Sequence, residues 1–244
     1  MPLIGFRRNI YFEWLEETAA LVCLGEDPAD IRLKLDELIR AQIASAPNRR
    51  MAIDILIEIW DRSADRFPAL HREAVELFQR SDATADHVLL HYGMTMASYS
   101  FFRQACAIIG QTLRFGDSIR TATLQKSLPA TIGGMGALHD ACKRVTFSLR
   151  NWGILADGTR RYEYVQNDPP ITPSSASLAC WLLAAALSAH PAETMPLPDL
   201  QGLPELFPFD IAVTRQDIKA SPLLDVFRSG GGWDTVRIAK PAPD

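Results

Sequence analysis

Apolar side chains recur at spacings of three and four through most of the chain up to His190, the period of helices that bury one face. Ile10, Trp14, Leu15, Thr18, Leu21 and Val22 form the first such stripe, preceded by Arg7 and Arg8 and ended by Gly25. Asp27-Pro28 is a cap and first-turn pair for a second helix on Ile31, Leu35, Leu38, Ile39 and Ile43, which Pro47 stops. Residues 50–62 are apolar nearly all round and predict a helix buried on more than one side, although their β-branched residues would also suit a strand. Pro68 opens a fourth helix to about Arg80, and residues 86–96 form a fifth. These helices read as an all-α module spanning residues 1–95.

From 96 to 166 the pattern changes in a specific order. Phe102, Ala105, Cys106, Ile109 and Leu113 make a helical stripe that ends at Gly116. A short helix follows over 119–127, with Ile119, Ala122, Thr123 and the stem of Lys126 as its inner face. Pro129 closes it, and Thr131-Ile132-Gly133-Gly134 is a turn with two positions free to take positive φ. A third helix starts near Met135, burying Leu138, Ala141, Cys142, Val145, Leu149 and Trp152 and turning Gly136, His139, Asp140, Lys143, Arg144, Phe147 and Asn151 outward. Gly153 ends it. Ile154-Leu155, a turn over 156–159 and an alternating return strand over 160–165 make a β-hairpin. Helix, helix, turn, helix and hairpin in that order predict a winged helix-turn-helix, so the fold expected is mainly α with a small β-hairpin wing.

Residues 167–244 read as a mixed C-terminal segment packed on the rest. Thr172 or Ser174 caps a very apolar helix up to His190, whose most membrane-like run, 178–189, is about twelve residues against the roughly twenty of a span. Prolines 191, 196, 198, 204 and 208 exclude regular helix or central strand between them. Residues 209–213 and 233–238 alternate and could pair as strands around a helical segment over 215–227.

Charge adds a clue that the totals conceal. The net charge is −4, yet residues 114–165 hold eight basic side chains against four acidic ones, leaving −8 for the remainder. That is a modest basic footprint on an acidic chain. Cys23, Cys106, Cys142 and Cys180 lie far apart on apolar stripes and read as core residues, and with no signal peptide evident a reducing cytoplasm is expected. His87 and His91 stand one turn apart, a spacing that can hold a metal, but no carboxylate or cysteine completes a site nearby, so no metal or other cofactor is expected. The common phosphate-loop, nucleophile-elbow, zinc-protease and Cys-x-x-Cys motifs are absent from the sequence. Of the two glycine clusters, 133–136 suits a turn that lets a helix approach a DNA backbone, and 230–232 suits a surface turn.

These features point to a non-enzymatic protein that binds double-stranded DNA through the third helix and the wing. Lys143, Arg144 and His139 would face the groove, Arg150, Arg160 and Arg161 the phosphates, and Arg120 or Lys126 would set the second helix on the backbone. The rival is a protein-docking adaptor, with Phe147 on the outer face as its contact. The succession Arg7-Arg8-Asn9-Ile10, His91-Tyr92-Gly93-Met94, Ile109-Gly110 and residues 148–155 (SLRNWGIL) resembles the BrxA family of the BREX phage-exclusion systems, over roughly residues 7–165. The resemblance implies a DNA-binding accessory protein of bacterial antiviral defence that acts beside larger methyltransferase and ATPase partners.

Overall fold

The computed structural model describes residues 6–128, 135–228, 230 and 232–240. It is mainly helical, with two small antiparallel sheets. Six helices come first: α1 (Phe12–Cys23), α2 (Pro28–Arg40), α3 (Ala46–Trp60), the single turn α4 (Ser63–Arg66), α5 (Pro68–Arg80) and α6 (Thr84–Ser98). The ambiguous apolar run is therefore helix. Its Ile53, Ile55, Leu56, Ile57, Ile59 and Trp60 are all buried, because α1, α2 and α6 pack round it. The Asp27 side chain caps α2 by accepting from the Ala29 N–H at 2.8 Å.

Residues 6–11 do not belong to the first helix, although Ile10 fits its stripe. The Ile10 N–H donates to Ser148 Oγ at 3.0 Å and its carbonyl accepts from Trp152 Nε1 at 3.0 Å. Both backbone groups are thus committed to a later helix, and the chain turns helical only after Tyr11.

The next unit runs α7 (Ser100–Phe115), β1 (Ile119–Arg120), α8 (Thr121–Ser127), α9 (Met135–Asn151), β2 (Leu155–Asp157) and β3 (Glu163–Gln166). The strands form an antiparallel sheet in the order β1-β3-β2, with Ile119 opposite Tyr164 and Ala156 opposite Val165. Pairing with the hairpin pulls Ile119 and Arg120 out of the second helix. The inner face of α8 becomes Thr121 and Leu124, while Ala122 and Thr123 are exposed, a shift of phase from the sequence expectation. Arg160 and Arg161 lie in the connection before β3 rather than in the return strand. The turn expected at Pro129 and residues 131–134 lies outside the described residues.

C-terminal elements cover this core. Helix α10 (Ala176–Ala189) is buried at every position from Leu178 to Leu187 and packs chiefly on α6. Its cap is Ser175; Ser174 instead donates to Asp86 Oδ2 at 2.6 Å. Gly93 on α6 lets the Trp181 ring lie where a β-carbon would sit, 2.5 Å from that position. Beyond it come β4 (Thr194–Pro196), α11 (Leu197–Gln201), a 3₁₀ turn at Pro204–Leu206, α12 (Arg215–Ala220), β5 (Leu224–Arg228) and β6 (Asp234–Ile238). The second sheet has the order β4-β6-β5, so Pro196 sits on an edge strand where its missing N–H is tolerated. Residues 209–213 do not pair with β6 as their alternation suggested. Phe209 bridges Ile171 instead, and the Val213 N–H donates to Gln201 Oε1 at 3.1 Å. Among the described residues no helix is long and apolar enough to cross a membrane.

Candidate nucleic-acid interface

Helix α9 buries Leu138, Ala141, Cys142, Val145, Leu149 and Trp152 against α7 and α8, and this fixes which way its remaining side chains turn. Asp140, Lys143, Arg144, Phe147 and Arg150 line one wall of an open cleft of about 720 Å³. The facing wall is the hairpin, with Asp157, Arg160, Arg161, Tyr162 and Tyr164, and Asn9 closes one side. Lys143, Arg144, Arg150, Arg160 and Arg161 therefore share one cavity although two chain segments supply them. Asp157 is already neutralised, because both its oxygens accept from Arg150 at 3.0 Å, which also ties α9 to the hairpin.

The remaining cations are less restrained. Lys143 Nζ lies 5.7 Å from the centre of the Tyr162 ring, and the Arg161 guanidinium lies 4.8 Å from the same ring. Arg161 also donates to the Tyr162 hydroxyl at 2.9 Å. Arg144 is half-buried, and burial lowers its pKa, with Asp140 opposing and the neighbouring Arg8 assisting that shift. An anion placed in the cleft would relieve the crowding of these cations.

Glu163 organises the hairpin tip. Its carboxylate accepts from the Ser118 hydroxyl at 3.2 Å, the Thr159 hydroxyl at 3.0 Å and the Arg160 N–H at 3.0 Å, and Arg120 Nε stands 3.7 Å away. The Thr159 bond foremost, with those of Arg160 and Ser118 and the charge of Arg120, holds this carboxyl below the usual range. One side chain thus ties β1 to the turn that presents Arg160 and Arg161.

The other three expected site residues stand apart from the cleft. Arg120 faces Glu163, Lys126 is exposed on α8, and His139 Nδ1 is 2.8 Å from Gln125 Oε1, so the imidazole bridges α9 to α8. Phe147, expected as an exposed contact, is half-buried: its ring meets Tyr11 at 5.1 Å and carries Arg150 at 5.7 Å. The segment before α1 lies across this part of α9, and the Phe12 N–H donates to Asn151 Oδ1 at 2.7 Å. The sequence reading missed Tyr162 and Glu163. Tyr162 follows two arginines, a local signal, whereas the partners of Glu163 include Ser118, 45 positions away, which no local pattern announces.

His87 and His91 do meet a carboxylate, supplied from α1. Glu16 lies 2.9 Å from His87 Nδ1 and 2.6 Å from His91 Nε2. The other ring nitrogens are engaged too, His87 with the Ser81 carbonyl and His91 with Trp60 Nε1–H. Among the described residues no group of three or more His, Cys, Asp or Glu is placed to hold a metal ion.

Compared with family models, with curated proteins and with solved structures, the chain matches none.

Proposed function

We propose that residues 100–166 form a winged helix-turn-helix that binds double-stranded DNA, with α9 as the recognition helix and the β2–β3 hairpin as the wing. The observation that carries this reading is the convergence of Lys143, Arg144, Arg150, Arg160 and Arg161 from helix and hairpin on one open cleft, on a chain of net charge −4. The element order and the strand order β1-β3-β2 support it, since they set a hairpin beside the exposed side of the third helix. Arg160 and Arg161 at the exposed tip suit phosphates, and Lys143 and Arg144 suit the groove. Arg120 and Lys126 suit the flanking backbone. His139, held by Gln125, serves better to orient α8 against α9 than to read a base. The half-buried Phe147 speaks for this role over the docking adaptor.

A shift assay of wild type and the double variant K143E/R144E at two salt concentrations tests the reading. Four phosphates neutralised by Arg160, Arg161, Arg120 and Lys126 give a log–log salt slope of about −3.6, from roughly −0.9 per phosphate. The double variant should bind several kcal/mol more weakly, at about 1.5 to 3 kcal/mol per charge-assisted contact, with an unchanged circular dichroism spectrum. Failure of wild type to bind at low salt, or equal binding by the variant, sinks the proposal. The phage-exclusion setting, with a methyltransferase and an ATPase as neighbours, is proposed on the sequence resemblance to the BrxA family alone. Co-purification with neighbouring gene products tests it.

A further inference from the structure

Tyr162 stands out in the cleft by its backbone. Strand alternation would set it on the same side as Tyr164, which is buried at 8% exposure. Instead Tyr162 takes φ +60°, a region that a bulky side chain seldom occupies, and its ring is turned out to 45% exposure. The conformation is held from outside the hairpin, because the Tyr162 carbonyl accepts from the Thr121 N–H at 3.2 Å, the first residue of α8. Such strain persists only where surrounding contacts over-determine it. The result is an exposed aromatic face among cations, with Arg161 and Lys143 both over the ring.

An intact duplex has no use for that face. Its bases are stacked on one another, and a protein meets only phosphates, sugars and base edges. A cationic groove combined with an exposed ring is instead the combination that holds unpaired nucleotides, where the base stacks and the phosphate is neutralised nearby. We propose that Tyr162 stacks on an unpaired base next to the duplex, so that the DNA recognised is a junction between double and single strand. The inference rests on the DNA-binding reading above. When a base takes a face of the ring, the cation it displaces is within reach of that nucleotide's phosphate.

The test uses the full chain and two DNA probes, a blunt hairpin duplex and the same hairpin with a five-nucleotide single-stranded thymine extension. Affinities are measured by fluorescence anisotropy at one fixed salt concentration for wild type, Tyr162→Phe, Tyr162→Ala and Tyr162→Gly. Wild type and Tyr162→Phe should prefer the extended probe about tenfold, as expected for one stacked base. In Tyr162→Ala and Tyr162→Gly that ratio should fall to about one. Glycine accepts φ +60° without strain, so the glycine variant separates loss of the ring from damage to the turn. Equal affinity of wild type for both probes overturns the proposal while leaving duplex binding intact. A preference that survives in the alanine and glycine variants also overturns it, since the gain would then come from the added phosphates. If wild type binds neither probe, the DNA-binding reading itself falls.

Discussion

Glu16 draws the two buried histidines His87 and His91 into one polar cluster. Burial opposes its ionisation, but hydrogen bonds and charge from His87 and His91 prevail and hold its pKa at about 2, against an ordinary 4.5. Its contribution to stability is therefore present above pH 4.5 and lost as pH falls toward 2. The histidines act in opposite senses. Burial pulls His87 down, yet Glu16 and the Ser81 carbonyl raise it overall, so its contribution is present below pH 6.5 and fades as pH rises through its folded value. Burial wins at His91 and lowers its pKa, so its contribution is present above pH 6.5 and is lost as pH falls through its folded value. The cluster is therefore most stabilising near pH 6.5, losing stability on the alkaline side through His87 and on the acid side through His91 and then Glu16. Glu16→Gln should cost about 1 to 2 kcal/mol at pH 7, a figure discounted for partial exposure, and the gap from wild type should close between pH 4.5 and 2. Urea midpoints across that range measure it; a gap that is constant with pH would mean that the ionised carboxylate is not what stabilises.

At the scale of elements, the hairpin depends on contacts made outside it. A strand of two residues, β1, gives β3 its second neighbour, and Glu163 ties the turn to Ser118. Glu163→Ala should therefore release the tip without unfolding the helices. Amide exchange at Arg160, whose N–H loses its acceptor, should quicken, and DNA affinity should fall although Glu163 repels phosphate. Affinity that rises instead would show that removing a negative charge outweighs the loss of order, and that the tip needs no positioning.

For the molecule as a whole, the C-terminal elements are part of the core. Helix α7 runs against the 3₁₀ turn at Pro204–Leu206 so closely that a β-carbon at Gly110 would stand 1.9 Å from the Pro204 carbonyl oxygen. The Tyr92 hydroxyl donates to the Glu205 carbonyl at 2.5 Å, and Arg103 pairs with the buried Glu205 at 3.0 Å. Gly110→Ala should cost about 1 to 3 kcal/mol, the usual range for overpacking, seen as a lower thermal midpoint. A chain ending at residue 166 uncovers Gly93, Tyr92 and the Trp181-binding face of α6, and should fail to give a cooperative thermal transition. A sharp transition in that truncated chain would show that the first 166 residues fold unaided.

Local pattern missed the turn α4 and the strand β1, and had Pro47 ending α2 where Pro47 in fact lies in the first turn of α3. It was enough to set the main helices of the first 190 residues, because period, caps and Gly or Pro stops act within a few positions. It also placed Lys143, Arg144, Arg150, Arg160 and Arg161 near one another, since a helix and the hairpin that follows it are neighbours in the chain. Tertiary structure decided what local pattern leaves open. Ile10 left its helix because Ser148 and Trp152 claim its backbone, Ile119 left its own because Tyr164 does, and residues 209–213 gave up strand pairing to Ile171 and Gln201. Glu16 found His87 and His91 across 71 and 75 positions. In each case a backbone or carboxylate group with more than one possible partner was settled by which one packing brought within about 3 Å, and separation along the chain holds no record of that distance.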